Sequence, residues 1–540
     1  MGTAAVWRTG GRAVGTALII AALSASPPFR LSAQGLSPRD SALHALNRLG
    51  YGPRPGQIDS VARLGVLRWI ERQLEPERVR DDRVAQRERA FRLLEYDREE
   101  LAARYTEALQ ERRRMQREMA RTGDTTRPRG GGAGAGPMRE FRELGGELQQ
   151  LAVVRAALSE RQLREVMVDF WTNHFNVFVG KGADRFLTPS YIEETIRPHA
   201  LGRFEDLLIA TAKSPAMLFY LDNAQSIAPG SVPPMRRRMP PPPPDRMPRG
   251  INENYARELL ELHTLGVDGG YTQQDVMEVA RILTGWGIER PQRGAGFAFH
   301  AWAHDRGEKT ALGVTFPSGH GMDEGVRLLK LLAGRHATMH HVSRKLCARF
   351  VADEPPDGCV DAAVDAWHRA DGDLRAVLRA IFTSPNFWAP QALRSKVKTP
   401  FEFVISAVRA VGAEPDDTPR LAQVVARLGQ PLYLQPAPTG YPEAQADWVN
   451  SGALLGRMNA SIALAAGRLP GVSGNLDAVV PLTTHHAQLT DLVNERLLGG
   501  AMSARTRVVI LEQLSSIGDP QQARVLAVGL ALGGPEFQRQ

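Results

Sequence analysis

The chain has 540 residues, of which 43% are hydrophobic and 23% are charged, a balance typical of globular proteins. This composition excludes a wholly disordered, a collagen-like and a polytopic membrane protein. The formal net charge is +8, but only seven of the 67 basic residues are lysine, and the arginines follow no nucleic-acid-binding signature. We therefore expect no nucleic acid partner.

The N-terminal segment resembles a secretory signal. Arg8 and Arg12 precede an apolar run over residues 13–25 that is too short to span a membrane but fits the central region of a signal peptide. We predict a signal peptide over 1–33, with a mature chain beginning near Gln34. Leu31 is unusual two residues before such a cleavage site, so a retained anchor stays open. No later stretch holds 18 uninterrupted apolar residues, which predicts a mature chain without a membrane span, located in the periplasm, in the cell envelope or outside the cell.

Hydrophobic periodicity beyond the signal is helical almost throughout. The pattern predicts an all-α fold: a large, irregular multi-helix domain with two flexible insertions and little β-structure. We assign 36–84 to N-terminal helices of the core domain, 85–140 to a charged helical insertion with a Gly-rich linker, and 141–540 to the main helical domain. A Pro/Arg-rich loop at 232–250 interrupts the main domain.

Two cysteines, Cys347 and Cys359, lie twelve residues apart. Export permits a disulfide between them, while two separate buried thiols are the alternative. Two cysteines are too few for a structural zinc site of four cysteine ligands.

The first polar cluster surrounds His174. On a helix, Phe170 and Trp171 fall one turn before His174, and Asp169 and Asn173 share the neighbouring face. A histidine held among aromatic rings loses solvent and has a lowered pKa, which suits a metal ligand or a neutral general base. A core histidine with a backbone hydrogen bond fits equally well.

The second cluster lies in the predicted helix 253–265. One stripe of this helix carries Asn254, Arg257, Glu258 and Glu261. Carboxylates three residues apart can share a cation or a proton, but they can also form a wet surface neutralised by Arg257. His263 lies off to one side of the stripe. A capping box formed by Thr272 and Asp275 predicts the start of the next helix.

The third cluster contains His300, His304, Asp305 and Lys309 within a glycine-rich segment, where we expect a loop or short strands. Asp305 can orient His304 or coordinate a metal beside it, and a turn aspartate next to a surface histidine is the alternative. A fourth cluster over 429–448 combines prolines with aromatic residues. It can form a pocket wall, although simple packing against helices explains it too.

In this order the clusters resemble the bacterial family catalogued as domain of unknown function 1800. The resemblance covers nearly all of the predicted mature chain except 85–140 and 232–250, and the segment 252–263 carries the most specific motif. The matching segments are 42–53, 170–175, 252–263, 270–276, 283–286, 304–309, 396–403, 429–430 and 535–537.

The resemblance implies an exported bacterial protein without an assigned activity. Members of the family are often encoded beside exported proteins similar to alkaline phosphatases and sulfatases, which suggests such a protein as a partner. One residue departs from the family pattern: Tyr441 follows Gly440 where a tryptophan is expected. Any role that needs an indole ring there is therefore in doubt.

Two hypotheses of function follow. In the first, the chain is an enzyme that performs metal-assisted hydrolysis of a cell-envelope or extracellular polymer or ester, with a divalent metal as cofactor. Its catalytic residues would be His174, Glu258 and His304. Its binding residues would be Asn254, Arg257, His263 and Lys309. Its metal ligands would be Glu258, Glu261, His304 and Asp305. In the second, the chain is a non-catalytic helical scaffold that binds another exported protein. The first hypothesis also requires His174, Glu258 and His304 to converge on one buried polar pocket.

Overall fold

The computed structural model describes residues 36–122, 138–231 and 250–540. Helices dominate this structure, so the predicted all-α class is confirmed. The predicted signal peptide, most of the Gly-rich linker and nearly all of the Pro/Arg-rich loop lie outside the described residues. No helix of the described segments combines the length and the apolar character needed to cross a lipid bilayer.

The first part of the described chain, up to residue 231, consists of helices joined by loops. Its α-helices are α1 (Pro38–Arg48), α2 (Gln57–Leu64), α3 (Val66–Leu74), α4 (Asp82–Glu88), α5 (Arg98–Thr122), α6 (Arg139–Leu158), α7 (Gln162–His174), α8 (Asp184–Ser190), α9 (Arg197–His199), α10 (Phe204–Lys213) and α11 (Pro215–Tyr220). A first π-helix, Tyr191–Ile196, joins α8 to α9.

The second part adds more helices and three small sheets. Its α-helices are α12 (Asn254–Glu258), α13 (Gln273–Ile282), α14 (Met322–Ala333), α15 (His336–Phe350), α16 (Asp357–Arg369), α17 (Leu374–Thr383), α18 (Pro400–Ala410), α19 (Arg420–Arg427), α20 (Gln445–Trp448), α21 (Ser451–Ala465), α22 (His486–Leu498), α23 (Ala504–Leu514), α24 (Pro520–Gly533) and α25 (Pro535–Gln538). A second π-helix, Leu259–Thr264, follows α12 directly. The antiparallel strand pairs are β1 (Trp286–Ile288) with β2 (Phe297–Phe299), β3 (Lys309–Ala311) with β4 (Val314–Phe316), and β5 (Glu414–Pro415) with β6 (Val472–Ser473).

Capping side chains fix where several helices begin. The predicted capping box at α13 is present: the Thr272 hydroxyl accepts from the Asp275 amide, and the Asp275 carboxylate accepts from the Thr272 amide. Thr399 and Glu402 form a second capping box at α18, with Pro400 at the first helical position. Such caps satisfy amide groups that the first helical turn leaves without a partner.

The helix predicted over 253–265 changes its winding in the middle. It is α-helical to Glu258 and then continues as the second π-helix, in which each backbone bond spans five residues instead of four. The wider turn changes the direction of every later side chain, and His263 therefore points into the core, where it is 1% exposed. A π-helix is rare and often accompanies a functional site.

The charged stretch after α4 packs against the body of the protein by one face only. Most of α5 is exposed, but Tyr105 near its start contacts the rings of Phe141 and Phe186. Gly145 and Gly146 lie inside the adjoining α6, where glycine lowers the intrinsic helix propensity. Its buried leucines and valines overcome that low intrinsic helix propensity through tertiary packing.

The two cysteines form a disulfide, which settles the alternative left open by the sequence. The bond joins Cys347 in α15 to Cys359 in α16, with Cα atoms 6.3 Å apart, and it lies in the buried core. It therefore ties the helix that carries several site residues to its neighbour.

We predict that removing this disulfide lowers the free energy of unfolding by about 3 kcal/mol, because the cross-link restricts a short loop of the unfolded chain. The measurement is urea unfolding of the protein before and after reduction, with the Cys347→Ser/Cys359→Ser double variant as control. The double variant should match the reduced protein and should not respond to reductant. Equal stability of the oxidised and reduced proteins would contradict the prediction.

Candidate functional site

A polar cavity lies beside α7, and we call it the α7 cavity. Its volume is about 60 Å³, enough to hold a few water molecules. Helices α7, α15 and α18 contribute to its wall, together with the loop 429–443. Its lining includes Tyr51, Asp169, Asn173, Glu193, Arg349, Glu402, Tyr433, Tyr441 and Glu443.

The loop of the fourth cluster forms one wall of this cavity, as the sequence suggested. Asn173 holds it with both ends of its amide: Nδ2 donates to the Tyr441 carbonyl at 2.8 Å, and Oδ1 accepts from the Tyr441 amide at 2.7 Å. Asn176 donates to the carbonyls of Gln435 and Ala437. Gly440 has φ +73°, and a Cβ there would collide with the backbone oxygen of Asn173. The C-terminal end of α7 thus fixes the loop in place.

Tyr441, where the family is expected to have tryptophan, has a defined contact. Its hydroxyl donates to the carbonyl of Pro431 at 2.8 Å, while its ring packs near Trp448 and lines the cavity. The tyrosine therefore closes the loop 431–441 on itself. An indole could not donate in the same geometry, because its N–H lies at another position on the ring.

Two carboxyl groups line the cavity without a partner. Neither the side chain of Asp169 nor that of Glu443 makes a hydrogen bond or an ion pair with any described residue, although both are partly buried. The pKa of Asp169 is raised to about 7, chiefly by burial; the positive charge of Arg349 opposes this change, and the negative charges of Glu443 and Glu402 add to it. A carboxyl group with such a pKa is only partly ionised at neutral pH.

Arg349 supplies fixed positive charge to the same cavity. Its guanidinium lies 2.5 Å from Glu402, and both side chains are 4% exposed. Burial lowers the pKa of Arg349, but Glu402, Glu443 and Asp169 together raise it above its usual range, so the group stays charged. Glu402 also accepts from the Gln540 amide and from the Thr399 backbone. This pair therefore has satisfied partners and a fixed position.

Further ion pairs close another side of the cavity. Arg155 bonds Glu193 at 2.5 and 3.0 Å, and Arg197 bonds Glu165 at 2.8 and 2.9 Å. Two parallel bonds fix the orientation of each guanidinium against its carboxylate. Glu193 belongs to the first π-helix. Because these four charges neutralise one another, Asp169 and Glu443 remain the lining carboxyl groups that no basic side chain of the described residues pairs with.

His174 lies on the aromatic face predicted for it, stacked on Phe170 and edge-on to Trp171. Its Nε2 lies 3.2 Å from the carbonyl of His263, and its Nδ1 lies 3.0 Å from Nζ of Lys345. Since a carbonyl only accepts, Nε2 carries the hydrogen and Nδ1 accepts from Lys345. Burial, and then the positive charge of Lys345, lower the pKa of His174 far below its ordinary value. The neutral histidine expected from the sequence is therefore present, with the alternative backbone bond as well.

Two more imidazoles lie close to His174 and Lys345. Rings of His263 and His341 lie 6.2 and 6.4 Å from that of His174 between centroids. Burial lowers the pKa of His263 to about 3 and that of His341 to about 4, so both are neutral. Burial also lowers the pKa of Lys345 to about 8, and Glu443 partly opposes this change. The histidine group and the α7 cavity therefore interact through Lys345 and Glu443.

Glu258 and Glu261, the other predicted carboxylates, are half-buried at the junction between α12 and the second π-helix. Burial and then Glu261 raise the pKa of Glu258, while Arg257 lowers it. Arg257 bonds Gln273 at 2.8 Å, and Asn254 is exposed. None of these four residues lines the α7 cavity.

The third cluster forms a separate internal network. Lys309 and Glu324 pair at 2.6 Å with side chains 0% and 1% exposed. Nδ1 of His304 donates to the Thr284 carbonyl at 2.8 Å, and its Nε2 lies 3.5 Å from Glu324. Asp305 pairs with Arg281 at 2.9 Å. His304 thus has different neighbours from His174, and the network holds the β3 segment against α13 and α14.

The predicted metal ligands do not form a coordination set in the described segments. No three histidine, cysteine, aspartate or glutamate side chains of this part of the chain are arranged to hold a metal ion. The negative charge of Glu261 raises the pKa of Glu258, so these two carboxylates interact electrostatically. His304 and Asp305 belong instead to the Lys309 network. The catalytic and binding roles proposed for these residues stay predictions.

Sequence reasoning found some site residues and missed others. It placed Asp169, Asn173 and His174 on one helix and suggested the loop as a pocket wall. It missed Lys345, Arg349 and the role of Glu443, because each is an ordinary charged residue in its own segment. The scarcity of lysine was the one signal that could have singled out Lys345.

An all-α protein with a polar cavity between helices and a facing loop is the class that fold and site define. The chain belongs to the family described as protein of unknown function (DUF1800), whose model matches residues 44–539. No curated protein and no solved structure matches the chain.

We predict that Lys309→Met lowers the free energy of unfolding by about 3–5 kcal/mol, because it leaves Glu324 charged and buried without its partner. The double variant Lys309→Met/Glu324→Leu should recover most of this loss, since no buried charge remains. Chemical denaturation of the three proteins measures the difference. A single variant as stable as the parent would show that the pair is not structural.

A second prediction concerns the pH dependence of stability at Asp169. Its folded pKa of about 7 exceeds the unfolded value of about 3.9, so the native state binds this proton more tightly. The contribution to stability is complete below about pH 4 and is lost as pH rises towards 7. Asp169→Asn, which cannot ionise, should therefore gain stability relative to the parent between pH 4 and 8. Parallel stability curves from thermal melts across this range would contradict the assignment.

Proposed function

We propose that this protein is an exported hydrolase that uses Asp169 and Glu443 as its acid and base. One observation carries the proposal: two carboxyl groups without a described partner line the same small cavity as the buried cation Arg349. Unpaired carboxyl groups are unfavourable in a partly buried site, so a structural role alone does not account for them.

The groups suffice for acid–base hydrolysis. Glu443 takes a proton from water as the water oxygen attacks the substrate, and protonated Asp169 gives its proton to the leaving oxygen. Arg349 stabilises negative charge that develops between the two events. Proton exchange with solvent then restores both carboxyl groups. This chemistry requires one carboxyl group to be protonated while the other is ionised. The raised pKa of Asp169 favours its role as the protonated group.

Export and substrate class complete the proposal. The disulfide between Cys347 and Cys359 favours an oxidising compartment, in agreement with the predicted signal peptide. The carboxyl groups and tyrosines of the lining suit cleavage of an ester or a glycosidic bond of an envelope or extracellular polymer. The metal-assisted form of the hypothesis is tested by comparing activity after dialysis against chelator with activity after addition of divalent cations.

The scaffold hypothesis also has a specific observation in its favour. His304, Asp305 and Lys309 bond to residues of their own domain and hold β3 against α13 and α14. This part of the family motif therefore supports folding, which is the role a scaffold protein would give it. A binding partner among exported proteins stays a prediction of that hypothesis.

We predict that Asp169→Asn and Glu443→Gln each lower hydrolysis at least about 100-fold, the usual effect of losing a general acid or base. The measurement is release of nitrophenol from a panel of nitrophenyl esters and glycosides. The rate of the parent should also change with a group of apparent pKa near 7, and this dependence should disappear in Asp169→Asn.

Asp447→Asn is the matched control, because Asp447 is an exposed carboxylate four residues beyond Glu443 and outside the cavity. It should retain the activity of the parent, and circular dichroism should show all variants folded. Full activity in both cavity variants would reject the proposed acid–base pair. Absence of hydrolysis across the whole panel would count against the enzyme hypothesis.

A further inference from the structure

Lys345 stands apart from the other lysines of the protein by its surroundings. It is partly exposed, yet its Nζ makes no ion pair with any described carboxylate, and its one recorded hydrogen bond goes to Nδ1 of His174 at 3.0 Å. The rings of His263 and His341 lie 6.2 and 6.4 Å from that of His174 between centroids, and the charge of Lys345 acts on both. Lys309 and Lys396 are paired with Glu324 and Asp353. Lys398 also lacks a carboxylate in contact, but it is 3% exposed, and its Nζ donates to the Ser406 hydroxyl and the Phe537 carbonyl.

We propose that Lys345 is a reactive amine that forms a Schiff base with a small carbonyl compound, an aldehyde or a ketone. The inference is independent of the proposed hydrolase activity, because it concerns the amine and not the carboxyl pair. Its basis is the cluster itself: an amine with no carboxylate in contact, bonded to the imidazole of His174 and near two others, none of which neutralises an ammonium charge. A lysine in such surroundings loses its proton more easily than a solvated one.

The structure also supplies an acceptor for the proton that the reaction moves. Nε2 of His174 is committed to the His263 carbonyl, so the lone pair of Nδ1 faces Nζ. His263 is held in position by the second π-helix, and Nε2 of its own ring has no described hydrogen-bond partner although it is buried. The imidazole of His174 is therefore oriented towards the amine by the backbone itself.

The chemical step balances without any further reagent. The nitrogen lone pair of neutral Lys345 forms a C–N bond to the carbonyl carbon, and the C=O π electrons move to oxygen. One amine proton passes through Nδ1 of His174 to that oxygen. The C–O bond then breaks, the second amine proton leaves with the departing hydroxide as water, and a C=N bond remains. No group is oxidised or reduced.

The groups that face Lys345 determine its pH dependence. His174, His263 and His341 are neutral and near it, and Glu443 is the carboxylate whose charge opposes its deprotonation. With a pKa of about 8 against about 10.4 for a solvated lysine, the uncharged fraction at pH 7.5 is larger by roughly two orders of magnitude. Part of the gain from this larger uncharged fraction is lost, because the half-buried amine of Lys345 is less accessible to a carbonyl compound and is a weaker base than a solvated lysine.

The experiment treats the folded, full-length protein with acetaldehyde and cyanoborohydride at pH 7.5 and measures alkylation of each lysine by peptide mass spectrometry. We expect Lys345 to react at least tenfold faster than Lys330, whose side chain is 57% exposed. In concentrated urea the two should react at equal rates, since the advantage comes from the folded surroundings. Lys330→Arg should leave the reaction of Lys345 unchanged.

Two variants separate reactivity from mere exposure. His174→Gln keeps a polar side chain but removes the imidazole that relays the proton, so the alkylation rate of Lys345 should fall severalfold while that of Lys330 stays constant. Lys345→Arg should remain folded and lose the fast-reacting site. Equal rates for Lys345 and Lys330 in the folded protein, or an unchanged Lys345 rate in folded His174→Gln, would overturn the proposal.

Discussion

The ion pair between Arg349 and Glu402 is the interaction on which the candidate site depends. Glu402 simultaneously caps α18 and accepts from Gln540, while Arg349 extends from α15 into the α7 cavity. A buried pair of this kind is favourable only when both charges find additional partners. Those partners come from segments far apart in the chain, so the cavity forms only when the whole domain has folded.

The same dependence explains what could be predicted from the sequence. Helical periodicity gave the fold class, and the local spacing of Phe170, Trp171 and His174 gave the aromatic setting of the histidine. Both follow from neighbours within one helix turn. The presence of Asp169 and Glu443 on the wall of one cavity could not be predicted in that way, because no local pattern tells which loop will face which helix.

The π-helices could not be predicted from the periodicity of a regular α-helix. At 100° per residue, His263 lies beside the acidic stripe, but the wider turn after Glu258 directs it into the core towards His174. Intrinsic preferences of single residues do not favour a π-helix. The contacts that favour it here come from packing against α15, which carries His341 and Lys345. The histidine group therefore depends on tertiary packing and not on local sequence.

Buried and half-buried charged residues of the protein therefore divide by whether they have a hydrogen-bond or ion-pair partner. Lys309, Glu324 and Asp305 bond to residues around them and support the fold, as buried charges must. Asp184 has no described partner either, but it is 0% exposed and lies outside the α7 cavity, where a raised pKa keeps it neutral. Asp169 combines a carboxyl group that has no described partner with a position on the wall of the α7 cavity. That combination, and not burial or an unusual pKa alone, is what distinguishes Asp169 from a structural carboxyl group such as Asp184.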